Sequence, residues 1–267
     1  MIYRIKLGAV RIINRILCFF NLKISTTLDK SRLAKILKKI KPYNLGYDLI
    51  RIGSSNDGGY LVPDLLNEID ICFSPGVGNN TDFERQIINK GIKTFLADGT
   101  INKEDVRLDN FNFLKKNLAS FNSEKTITLE NWVKKDGDFS DNLLLQMDIE
   151  SSEYEVIHAT PQDCLKKFKV LIVEFHFIEK INDHYFYKLF DNTIEKLLLD
   201  FEICHVHPNN CQGVFSVSGL NLPTAIEITF LRKDLCKEKK DTKIPHVLDR
   251  KNIINLPDIS FSDKIFN

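Results

Sequence analysis

From residue 69 onward, short apolar runs alternate with amphipathic stretches. The runs at 69–74, 93–97, 125–129, 142–148, 169–175, 201–207 and 224–232 have the length and composition of buried strands. Between them, apolar positions recur at helical spacing and predict helices over 80–91, 102–121, 152–158 and 182–200. This alternation predicts a parallel sheet covered by helices on both faces. The last two strands are joined by PNNCQGVFSVSGLNLP with no helix between them, so they should pair antiparallel at one edge. Upstream, TLDKSRLAKILKKIK reads as a short amphipathic helix ended by Pro42. YDLIRIGSSNDGGYLVP reads as a hairpin whose tight turn holds Asp57 and Gly58. Three parts are expected: an N-terminal helical segment over 1–47, an α/β domain over 48–232, and a charged, proline-interrupted segment over 233–267 lying on that domain.

The first residues, MIYRIKLGAVRIINRILCFFNLKI, are apolar and basic. Arg4, Lys6, Arg11 and Arg15 interrupt them before any run long enough to span a bilayer, and the pattern of a signal peptide is absent. Ile5, Ile12, Ile13, Ile16, Leu17 and Phe20 can share one helical face. That face is expected to pack on protein, either the domain or a second subunit in a homodimer. The other reading is peripheral attachment at the inner face of a membrane. The 37 basic and 36 acidic residues nearly cancel, which leaves no global field for nucleic acid. Six scattered cysteines without a CxxC pair fit a reduced, cytoplasmic protein rather than a disulfide framework.

The stretch IDICFSPGVGNNTDFERQIINKGIKTFLADGT concentrates the chemistry. An apolar run leads into a turn holding Gly76 and Gly78, a helical pattern follows, and a second apolar run stops at Asp98, twenty positions after Gly78. Glycines let backbone approach a ligand, the next helix offers free N–H groups, and a carboxylate at the second strand end can accept ribose hydroxyls. A nucleoside cofactor fits that order, with Ser74, Gly76, Gly78, Asn79 and Asp98 around it.

Ligands of open α/β sheets bind beyond the carboxyl ends of the strands. There the chain places Asp148 and Glu150, then Glu174 and His176, then His205, His207, Asn209 and Asn210, and finally Glu227. A charged residue inside an apolar strand is costly unless paired or near water, so Glu174 and Glu227 are not casual surface positions. Three readings stand. His176, His207 or Asp148 can act as a general base. Asp148, Glu174, His176 and His207 can ligate a divalent metal such as Mg²⁺. The same groups can also satisfy one another structurally. Trp132 reads as core, with a place bordering the adenine pocket as the other reading.

LLLQMDIESSEYEVI resembles the (K/M)-D-(I/V)-E-G-x-E-x-x-(V/L)-L signature of FkbM-like S-adenosylmethionine-dependent methyltransferases. IRIGSSNDGGYLVP, FSPGVGNNTDFE, LIVEFHF and PHVLDRKNIINLPDI resemble a branch of sugar and capsule-type glycan biosynthesis proteins. The resemblance covers most of residues 48 to 260. It implies a Rossmann-like methyltransferase fold: a mostly parallel seven-stranded sheet with an antiparallel last strand, preceded here by N-terminal helices. It also implies methyl transfer to a hydroxyl of a nucleotide-linked sugar or glycan. By position, Gly76 and Gly78 would line the methionine and ribose side of the cofactor, Asp98 would hold the ribose, and Asp148 would sit beside the methyl group. Glu150, Asn209 and Asn210 would face the sugar. Related sugar methyltransferases sometimes use a divalent metal. Ser74 stands where an acidic residue usually precedes the glycine turn, Asn80 takes the third small position, and Ser151 replaces the signature glycine. The competing readings are an NAD-dependent oxidoreductase, which would want a tighter G-x-G-x-x-G turn, and a non-catalytic nucleoside- or glycan-binding protein.

Overall fold

The computed structural model describes residues 2–20, 28–78, 80–137, 139–259, 261 and 265–266. Seven strands build the central sheet: β1 Ile71–Pro75, β2 Lys93–Ala97, β3 Phe111–Leu114, β4 Leu143–Met147, β5 Phe168–Phe175, β6 Phe201–Val217 and β7 Leu220–Arg232. Their spatial order is β6-β7-β5-β4-β1-β2-β3. β1 to β5 run parallel, and β7 lies antiparallel between β5 and β6. The order reverses between β1 and β4, which opens a crevice at the carboxyl ends of those two strands.

Alternating side chains of the sheet feed two apolar layers. Phe73, Leu143, Leu145, Leu171 and Val173 point to one face. There they pack against helices α2 Lys30–Lys39, α4 Leu129–Asp136, α5 Glu153–Ala159, the short α6 Gln162–Leu165 and α7 His184–Leu197. Cys72, Leu144, Val170 and Ile172 point to the other, against α3 Asp82–Asn89 and the hairpin Leu49–Gly53/Gly59–Pro63. Local chemistry starts these helices where they are needed. Asp29 accepts a hydrogen bond from Arg32 N at the head of α2, Thr128 accepts from Asn131 N at α4, and Asp183 accepts from Tyr185 N and Phe186 N at α7. Leu33, Ile36 and Leu37, at helical spacing, bury the inner face of α2 in the same cluster as the sheet. Trp132 is fully buried, edge-on to Phe73.

Three elements differ from expectation. The helix predicted over 102–121 is absent, and that stretch instead carries β3, the edge strand. The strand predicted over 125–129 shrinks to Thr126–Ile127, paired with Asn117–Leu118 outside the main sheet. Phe111-Asn-Phe-Leu is short and half-buried at a sheet edge, so its apolar content alone does not separate it from a helix segment. The connection expected as a loop after Asn210 is largely strand. β6 and β7 extend as a two-stranded ribbon to a turn at Ser218 and Gly219, both with positive φ.

Helix α1, Ile2–Leu17, is long enough to form, and the described part of its apolar face is largely exposed. Ile12, Ile13, Ile16, Phe19 and Phe20 are exposed, while Ile5 has no described side chain. No helix among the described residues is long and apolar enough to cross a membrane.

Candidate active site

Backbone packing forces the glycine turn after β1. Gly76 has φ +81°, its N–H donates to Ala97 O, and a Cβ at this position would lie 1.6 Å from the carbonyl oxygen of Asp148. The ends of β1 and β4 therefore meet through an absent side chain. Gly78 also has positive φ but faces open space. Gly76, Gly78, Tyr60, Glu84, Gln146 and Asp148 surround a cleft of about 220 Å³ whose outer wall is the hairpin turn at Asp57 and Gly58. Among the described residues, the cleft carries three carboxylates (Asp57, Glu84 and Asp148) and no lysine, arginine or histidine.

Ser74 is fully buried and does not line this cleft; its hydroxyl lies 2.5 Å from Glu84 Oε1 and 2.6 Å from Gln146 Oε1. A carboxyl from α3, that of Glu84, thus reaches back to the strand end through Ser74. Burial pushes the Glu84 carboxyl up to about 7, against the Ser74 hydrogen bond, and its Oε2 is buried without a partner. Asp98 does not line the cleft. Its Oδ1 accepts from Thr100 N at 2.7 Å and from Thr100 Oγ1 at 2.6 Å, holding the turn after β2. Asn79 lies outside the described residues.

Beyond Asp148 the second group gathers. His176, at the end of β5, is held from behind by the fully buried Glu153 of α5. Glu153 Oε1 accepts from His176 N at 2.7 Å and lies 3.1 Å from His176 Nδ1. His176 Nε2 faces Asp148 Oδ1 at 3.6 Å, Glu150 Oε2 at 3.7 Å and Glu174 Oε1 at 3.8 Å. Burial opposes charge on this imidazole, but the Glu153 hydrogen bond and the surrounding carboxylates prevail and raise its pKa. Asp148 is pushed up to about 7, mainly by burial, with His176 pulling the other way. Glu150 and Ser151 turn the chain into α5 with φ of +53° and +87°, so Ser151 holds the left-handed conformation that suits the signature's glycine.

A third group stands on β6 and β7. Glu227 lies across from Glu174 on one side and His207 on the other. Asn252, from the C-terminal segment, ties them together. Its Nδ2 donates to Glu227 Oε1 at 2.6 Å and to Asp57 Oδ1 at 3.2 Å, and its Oδ1 faces His207 Nε2 at 3.2 Å. His207 Nδ1 lies 3.6 Å from Asp249 Oδ1, and His205 Nε2 lies 2.8 Å from the same oxygen. Burial opposes ionisation of Asp249, but the two imidazoles hold its carboxyl well below the usual range. Burial, then the charges of Asp148 and Glu227, push Glu174 well up. Asn209 donates to Glu174 Oε1 at 2.8 Å. Asn210 is spent on the tail, bonding Ile253 and Pro257.

Of the four metal candidates, the fold gathers Asp148 and His176 with Glu150, whose ligand atoms lie within 4.8 Å of one another, and brings Glu174 close. His207 belongs to the separate Asn252–Asp249 group. Sequence reasoning missed Glu84, Gln146, Glu153, Asp249 and Asn252 as site residues, and it read Asp57 only as a turn residue. Glu153 had a signal, since it occupies the second glutamate position of the D-I-E-G-x-E pattern. Asp249 and Asn252 lie in PHVLDRKNIINLPDI, quoted only for likeness.

No protein-family model matches the chain, and no curated protein does. Among solved structures, the chain is similar to one in a fibrillarin/Nop5p complex, at 13% identity over 62% of this chain and 73% of that one, TM-score 0.38. It is also similar to a SAM-dependent methyltransferase from Archaeoglobus fulgidus, at 12% identity over 61% of this chain and 86% of that one, TM-score 0.34. Such loose likeness carries no argument by itself. The strand order does: a doubly wound parallel sheet with an antiparallel strand inserted between its last two members is the Rossmann-like methyltransferase fold.

Proposed function

We propose that this chain is an S-adenosylmethionine-dependent O-methyltransferase acting on a sugar hydroxyl. The observation that carries the reading is the charge of the cleft at the glycine turn. A dinucleotide would bring a pyrophosphate there, against Asp57, Glu84 and Asp148 and, among the described residues, with no basic side chain to meet it. S-adenosylmethionine brings a sulfonium and an ammonium, both cationic. The unpartnered Oε2 of Glu84 is an acceptor suited to such a ligand. When bound, the cofactor supplies an activated methyl group.

The chain's own residues have two tasks: aligning the acceptor oxygen with the methyl carbon and sulfur, and relieving that oxygen of its proton. The O–CH₃ bond forms as the S–CH₃ bond breaks, with its electron pair left on sulfur. We place proton removal at the Asp148–Glu150–His176 cluster, where Asp148 borders both the cleft and the imidazole. His207, with both ring nitrogens directed at tail residues, supports the wall rather than the reacting oxygen. The sugar acceptor rests on the resemblance of the strand-end motifs; Asn209 itself is buried and donates to Glu174.

Isothermal titration calorimetry with S-adenosylmethionine, S-adenosylhomocysteine and NAD tests the cofactor. Micromolar binding of the first two and silence from NAD is expected, and the reverse would overturn the reading. Turnover on nucleotide sugars should fall about 100-fold or more in His176→Ala and far less in His207→Ala. Loss below a few-fold in His176→Ala would remove the cluster from the chemistry.

A further inference from the structure

We propose that Asp148, Glu150 and His176 form a binding site for one divalent cation of the Mn²⁺/Mg²⁺ class, with Glu174 in reach. His176 is nine-tenths buried, yet its Nε2 makes no hydrogen bond. Instead that nitrogen points at three carboxylate oxygens 3.6 to 3.8 Å away, beyond hydrogen-bond range. Asp148 Oδ1, one of those oxygens, is buried with no hydrogen-bond partner among the described residues. Among the described residues, His176 is the ion-pair partner of both Asp148 and Glu150. With His176 neutral, its Nε2 lone pair faces carboxylate oxygens and is repelled by them; a doubly charged ion between them, taking the place of the imidazolium proton, turns those contacts favourable.

The separations suit such an ion. Metal–oxygen bonds of about 2.1 Å put neighbouring ligand atoms about 3 Å apart and opposite ones about 4.2 Å apart. The observed 3.6 and 3.7 Å fall between these limits, so small side-chain movements close the site. The surroundings suit it too. Glu153 at His176 Nδ1 fixes the tautomer that leaves Nε2 free, as a carboxylate behind a ligating histidine does. Carboxylate-rich sites with one imidazole favour hard or borderline ions over thiolate-seeking ones. Glu150, whose side chain is 83% exposed, leaves the site a way in from solvent.

The cation's chemistry rests on the methyl-transfer reading, although the site does not. Beside the cleft, the ion would hold the acceptor hydroxyl and lower its pKa. The hydroxyl proton would then leave to water past Glu150. His176 would act as a ligand rather than as a free base.

The test is Mn²⁺ binding to the full chain without any cofactor, followed by electron paramagnetic resonance. One Mn²⁺ per chain is expected, with a ¹⁴N coupling from a directly bound imidazole that disappears in His176→Ala. Glu150→Gln, at an exposed position that the fold does not need, should weaken Mn²⁺ at least about ten-fold. Absence of binding at millimolar Mn²⁺ would overturn the site. So would binding without the nitrogen coupling, or equal binding in Glu150→Gln. Because no S-adenosylmethionine is present, a negative result leaves the methyl-transfer reading to its own calorimetry.

Discussion

Glu84→Gln isolates the buried carboxyl at the glycine turn. In the folded chain burial raises this group from 4.5 to about 7. The fold therefore favours the protonated form. Its contribution is fully present below pH 4.5 and is lost as pH rises from 4.5 through 7. At about 1.4 kcal/mol per pH unit the loss amounts to about 3 kcal/mol, and the group's nearly complete burial leaves little solvent screening to discount. Glutamine keeps the Ser74 contact and cannot ionise. Urea unfolding of wild type and Glu84→Gln at pH 4.5 and pH 8 should show little difference at the lower pH. At the higher pH the variant should be more stable by up to about 3 kcal/mol. The same carboxylate is proposed as an acceptor for the cationic cofactor, whose ammonium S-adenosylhomocysteine retains. Binding of S-adenosylhomocysteine should therefore strengthen between pH 6 and 8 in the wild type and stay weak and flat in the variant. A variant no more stable than wild type at pH 8 would refute the burial argument. Unchanged ligand affinity would remove Glu84 from the site.

Two further predictions follow from backbone conformation. Ser151→Gly should gain about 0.5–1 kcal/mol, because relief of left-handed strain (~1–2 kcal/mol) exceeds the entropy cost of glycine (~0.5–1 kcal/mol). An unchanged urea midpoint would mean that the serine side chain repays its strain. Gly76→Ala should cost more than about 3 kcal/mol, since its Cβ would meet the Asp148 carbonyl oxygen at 1.6 Å. Gly78→Ala, with open space around it, should cost only about 1–2 kcal/mol of left-handed strain. Equal losses in thermal unfolding would contradict the packing described.

Six of the seven sheet strands were legible because they are buried on both faces and read as continuous apolar runs, VLIVEF in β5 being the clearest. β3 was hidden because a four-residue edge strand buries too little to leave a pattern. In the site, Gly76 was legible from its turn and Asp148 from its place after an apolar strand. Glu84 was not, because a glutamate in the first turn of a helix ordinarily reads as solvated. Only the packing of α3 on Tyr60 and Gln146 sinks it. Asp57, Asp249 and Asn252 depend on contacts between distant parts of the chain, which periodicity does not encode.

Asp57 and Asn252 stand 195 positions apart, yet they bond to each other through both side chain and backbone. The hairpin forms from local sequence, whereas its partner is threaded onto the strand ends after the sheet has closed. Contacts of such sequence separation are completed late in folding. Ligand binding at the glycine turn would thus report on the last act of folding. A chain nicked between β7 and Asn252 could keep its sheet and its spectrum while losing the wall of its cleft. Limited proteolysis followed by cofactor binding would expose that separation between being folded and being finished.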